Sequence, residues 1–186
     1  MAQKNINTFN LTDLQSSNAC NLLDYIKTED DIKLFSSRIL EITSDPNKTG
    51  GDDFWEKTQQ MMLNAFIGAL WKYGGKKDPN DPNDRHGIFT FNGNNNVPQT
   101  LSSVMDLLRG CAIVRGYAIE ETSESKTSLT DEAFNKLRID LKEKFGSDDD
   151  FCLKQYDSLK MGSRKTLKSI LISTIARLSI LDVNAN

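Results

Sequence analysis

The sequence predicts an all-α domain: a compact bundle of about six helices, interrupted by one long loop. Three observations carry this. Apolar residues recur at three- and four-residue spacing through most of the chain. Polar capping residues followed by acidic ones precede several of those stretches. No alternating run is long enough for a sheet strand, the extreme N-terminus aside.

The elements follow in order. Residues 1–27 read as a lead-in segment. TEDD at residues 28–31 has the form of a capping box, in which a Thr hydroxyl and an acidic side chain each satisfy a backbone N–H. Ile32, Phe35, Ile39, Leu40 and Ile42 then keep helical spacing, and Ser44, Pro46, Gly50 and Gly51 mark a loop. Asp52 and Asp53 place negative charge at the start of the longest pattern, DDFWEKTQQMMLNAFIGALWKY. Its apolar stripe is so wide, with Trp55, Met62 and Phe66 on it, that the helix is expected to be central and covered on more than one side. The Phe54-Trp55 and Met61-Met62 pairs are read as core.

Residues 74–96 read as an exposed, flexible insertion, because two Asp-Pro-Asn copies, several glycines and an Asn run cannot continue a helix. Thr100 is a good N-cap for a helix with Leu101, Val104, Met105, Leu107 and Leu108, closed by Gly110. Residues 112–118 are a short apolar piece of open type, and ETSESKTSLT is a polar linker. Thr130 is expected to cap a helix carrying Ala133, Phe134, Leu137 and Leu141, which stops at Phe145-Gly146. Residues 147–150 repeat the capping-box form and open a helix through Phe151, Tyr156 and Leu159. After Gly162-Ser163 a last helix carries Leu167, Ile170, Leu171, Thr174, Ile175 and Leu178. The all-α domain is thus 28–181, with 182–186 as a tail.

The chain has 186 residues, enough for one substantial core. A formal charge of −3 and a pI near 5.3 argue against a protein built wholly to coat nucleic acid. Three scattered cysteines and one histidine cannot supply the clustered ligands of a structural zinc site, so reduced thiols and no metal are expected. The N-terminus has no apolar core of a signal peptide, and no uncharged apolar stretch is long enough for a membrane span.

KMGSRKTLKS at residues 160–169 places a Lys-Thr pair shortly after a glycine, yet it is not a phosphate loop. Such a loop needs two glycines that let backbone N–H groups curl around phosphates. Here Arg164 and Leu159 hold those positions. DPNDPNDRHG fails as a calcium loop, since Pro82 or Arg85 falls where an oxygen ligand is needed. The lone His86 has no neighbouring nucleophile in sequence. The carboxylate pairs Glu29/Asp31, Asp52/Asp53 and Asp148/Asp150 all sit at helix starts, where the macrodipole accounts for them. No catalytic residue and no cofactor is therefore assigned.

What remains is a basic helix edge. Arg164, Lys165 and Lys168 fall within an arc of about 100°, with Lys160 a turn earlier. Cations in a first turn oppose the helix dipole, and a broken local rule points to a partner. An anion or acidic-partner site and a plain solvated edge both stay open.

Laid out in order, NLTDLQSSNACNLLDYI (10–26), GGDDFWEKTQQMMLNAFIGALW (50–71), VPQTLSSVMDLL (97–108) and QYDSLKMGSRKTLKSILISTIARL (155–178) together resemble the all-α domain of conjugative type IV coupling proteins, the TraG/TraD-like ATPases. The departures are Leu22 after Asn21 where the family has an Asn-Pro pair, a longer 74–96 loop, and no Walker A or Walker B motif. The resemblance implies a domain cut from a larger, membrane-anchored and hexameric motor, itself monomeric and not an enzyme. It implies a place on the cytoplasmic face. It also implies docking of relaxase, relaxosome or secreted protein substrates for DNA transfer, with DNA a further candidate partner. Arg164, Lys165, Lys168 and Lys160 are the expected contacts. A free-standing helical DNA-binding or regulatory protein is the alternative.

Overall fold

The computed structural model describes residues 21–44, 53–113 and 127–182. Among them are six α-helices: α1 (Glu29–Ile42), α2 (Asp53–Tyr73), α3 (Leu101–Gly110), α4 (Leu129–Phe145), α5 (Phe151–Lys160) and α6 (Arg164–Asp182), preceded by a single 3-10 turn at Leu22–Tyr25. Strands are absent among the described residues, where only Phe91 and Asn94 form an isolated bridge. The all-α expectation holds. The expected N-terminal strand, most of the 112–118 piece and most of the polar linker lie outside the described residues.

Helix α2 is the axis. Residues 62–70 are buried without interruption, so the helix is covered all round, as its apolar width implied. It packs against α1, α3, α5 and α6, most extensively α5, while α4 bridges α3 and α5. Gly68 makes the α2–α5 approach close: a Cβ there would lie 3.1 Å from that of Cys152. Two polar side chains also enter the core from α2. Gln59 donates to Ser173 Oγ (2.6 Å), and Asn64 donates to Gln155 Oε1 (3.3 Å).

Local signals set the helix starts. Thr28 and Asp31 form the expected capping box, and Thr100 accepts from Ser103 N–H at 3.2 Å. Two starts differ from expectation. Ser128, not Thr130, caps α4, in a capping box with Asp131, while Thr130 turns inward and donates to Leu107 C=O at 2.6 Å. Asp150, not Ser147, caps α5. Ser163 heads α6 by accepting from Thr166 N–H. At the other end, the Arg177 guanidinium reaches back to Leu40 C=O and Ser44 Oγ, closing the C-terminus of α1.

The 74–96 segment corrects the expectation of a wholly exposed excursion. Residues 76–83 are exposed, held in turns by Asp78, Asp81 and Asp84. Ile88 and Phe89 are buried, and Phe89 N–H bonds Tyr73 C=O at 3.0 Å. Phe89 meets Phe134 edge-on at 5.7 Å, and Arg85 lies 4.5 Å from the Phe145 ring centre. An apolar pair inside a polar run is enough to pin a loop. Phe54 is a second correction: it is exposed at the start of α2 and lies edge-on to the partly buried Trp55.

Gly110 sits where α3, the loop and α4 converge. A Cβ there would lie 2.7 Å from both Phe91 Cζ and Thr130 Oγ1. Gly110→Ala is expected to destabilise by about 1–3 kcal/mol through overpacking, read by urea unfolding. A change within ~0.5 kcal/mol would mean that Phe91 swings away without cost.

Candidate functional site

The expected basic residues converge on a groove of about 420 Å³ between the α5–α6 corner and the ends of α3 and α4. Its apolar surface comes from Met62, Leu159, Leu167 and Leu171. Lys160, Arg164 and Lys168 line it at four-residue intervals, a spacing that keeps them on one side as α5 passes into α6. Lys165 is exposed but does not line the groove. The quartet is thus three residues along one groove and one beside it.

Lys160 is committed elsewhere in part. Its ammonium lies 2.7 Å from Asp131 Oδ1, and that same carboxylate accepts from Tyr156 Oη (2.6 Å), Ser128 Oγ (2.8 Å) and Ser128 N–H (3.0 Å). Burial by itself would raise the Asp131 carboxyl, but Lys160, Tyr156 and Ser128 outweigh it and hold it down to about 2. Burial and this carboxylate both push the Tyr156 hydroxyl up, so it stays a donor. The result is a fixed ionic tie from the start of α4 to the end of α5. Lys168 has no carboxylate partner among the described residues, so it and Arg164 give the groove its positive sign.

Two sites that sequence reasoning passed over carry much of this geometry. Asp131 is legible in SLTD, residues 128–131, as a capping box one register earlier than the one expected. Asp150 is the second. It accepts from Tyr73 Oη (2.7 Å), Lys72 Nζ (2.5 Å) and Cys152 N–H (3.0 Å), joining α2 to α5. Burial raises its carboxyl, and Lys72, Tyr73 and Cys152 together bring it below the usual value. Nothing in the local pattern of residues 147–150 marks this long-range tie. His86 pairs with Asp84 at 2.5 Å within the loop and is remote from the groove. Burial pushes the Cys111 thiol up to about 11 and that of Cys152 well above its ordinary value, which makes both poor nucleophiles. No group of metal-ligating side chains is present among the described residues.

The model of the family described as type IV secretory system conjugative DNA transfer matches residues 1–161. The chain belongs to this family. No curated protein and no solved structure matches it. In this conjugative-transfer domain the match runs to the end of α5, so the groove has one wall inside the matched stretch and one, α6, beyond it. No helix among the described residues is long and apolar enough to cross a membrane.

Proposed function

We propose that this conjugative-transfer domain is a substrate-docking module of a type IV coupling ATPase, working at the cytoplasmic face. It engages relaxase–DNA complexes or protein substrates and leaves nucleotide hydrolysis to the motor of the parent hexamer. The observation that carries this reading is the positive groove set on a rigid helical platform, in a chain of the conjugative DNA-transfer family. The buried carboxylates Asp131 and Asp150 are locked to cations and donors, which suits scaffolding better than proton transfer.

The test is binding of single- and double-stranded DNA, and of the cognate relaxase, at two salt concentrations. If Arg164, Lys165 and Lys168 each neutralise one phosphate, affinity for single strands falls roughly twentyfold between about 50 and about 200 mM salt. The Arg164→Ala/Lys165→Ala/Lys168→Ala variant is expected to bind more weakly and to lose that slope. Binding curves unchanged by the triple substitution would reject the site, and steady nucleotide turnover by this chain would reject the non-enzymatic role.

A further inference from the structure

The groove differs from a surface that only tracks phosphates. Its floor is apolar, its volume suits a few bulky side chains, and the carboxylate of Asp131 stands on its wall, with its side chain 15% exposed. A phosphate backbone gains nothing from Leu159, Leu167 and Leu171 and is repelled by Asp131. The Lys160–Asp131 pair cancels in charge, leaving Arg164 and Lys168 as a short positive rim four residues apart on α6. Cations beside an apolar trough complement a segment with carboxylates beside an apolar stripe.

We propose that this groove takes an acidic amphipathic segment of a partner protein, seating apolar side chains on Met62, Leu159, Leu167 and Leu171 and carboxylates on Arg164 and Lys168. The proposal rests on the docking reading above and narrows it from protein or DNA to one chemistry. Lys165, off the groove, takes no part. Recognition needs both halves of the surface: charge orients the segment, and apolar burial supplies the affinity.

The experiment uses the full chain and fluorescence anisotropy with four dye-labelled probes. These are a helical peptide with leucines at i, i+3, i+4 and i+7 flanked by glutamates, the same peptide with alanine for leucine, the same with lysine for glutamate, and a single-stranded oligonucleotide. The acidic leucine peptide is expected to bind, with Lys168→Glu weakening it about tenfold or more and Lys165→Glu leaving it unchanged. The alanine and lysine peptides are expected to fail. Equal binding of the leucine and alanine peptides, or equal effects of Lys165→Glu and Lys168→Glu, would overturn the proposal. Binding of the oligonucleotide alone, sensitive to Lys168→Glu, would also overturn it while leaving the docking role standing. If no probe binds in a way sensitive to Arg164, Lys165 or Lys168, both readings fall together.

Discussion

Phe134→Ala lowers the unfolding free energy by about 4 kcal/mol, the largest effect expected of any single truncation here. Phe134 is 2% exposed and stacks flat on Tyr156 at 3.9 Å between ring centres, with Phe66 at 5.8 Å and Phe89 at 5.7 Å. Four rings from α2, the 74–96 loop, α4 and α5 therefore share one contact. Truncation leaves a cavity whose walls belong to four separate segments, and these cannot all collapse together. With a total stability of about 5–15 kcal/mol, such a loss shifts the thermal midpoint by roughly 8–16 °C. Phe145→Ala, at a ring 37% exposed, is the control and costs far less. Because Phe89 loses its edge-on partner, the Phe89 N–H to Tyr73 bond exchanges faster in Phe134→Ala. A cost below ~1 kcal/mol, read by urea unfolding, would show that the four rings are not a shared core.

Asp150→Ala costs about 3–5 kcal/mol, the range for breaking a buried ion pair from one side. Asp150 is 6% exposed and serves three donors at once, so its removal strands the Tyr73 hydroxyl, half-strands Lys72 and uncaps α5. Lys72 keeps only the more distant Glu29, at 3.8 Å. Asp150→Asn separates the contributions. Asparagine caps a helix nearly as well as aspartate, so the cap survives and the charge does not. The Asn variant is expected to retain part of the stability lost in the Ala variant. Equal losses would assign the whole effect to charge, and no loss in either would remove Asp150 as the tie between α2 and α5.

Acid provides an independent check on the same groups. Asp150 and Asp131 both have folded-state values below the model-peptide value of 3.8, with Asp131 at about 2. Unfolded chains therefore bind more protons in this range. The stabilisation is present above about pH 4 and is lost as pH falls through the folded values. Thermal midpoints are expected to drop steeply between about pH 4 and pH 2, and less steeply in Asp150→Asn, where one of the two groups no longer titrates. A wild-type midpoint flat across that interval would contradict both ties.

Helix positions were legible because period and caps are local. TEDD heads α1, Thr100 heads α3, and the width of the α2 stripe announced its burial. Misplaced starts were near misses with one cause. Residues 128–131 and 147–150 each hold more than one side chain able to cap, and the choice between them depends on what the spare ones meet. Thr130 found Leu107 C=O, and Asp150 found Lys72 and Tyr73. The loop misled because its composition is polar on average, while burial is decided by its two apolar residues, Ile88 and Phe89.

The sequence alone determined the all-α class, the order of the helices, the absence of a phosphate loop at residues 160–169 and the presence of a basic α6 edge. All of these follow from spacing along the chain, which a helix converts directly into direction. Only the tertiary structure decided that Lys160 belongs to Asp131, that Lys165 stands off the groove, and that Arg164 and Lys168 border an apolar floor. Those relations join residues distant in sequence, and packing around α2, not local spacing, sets which of them meet.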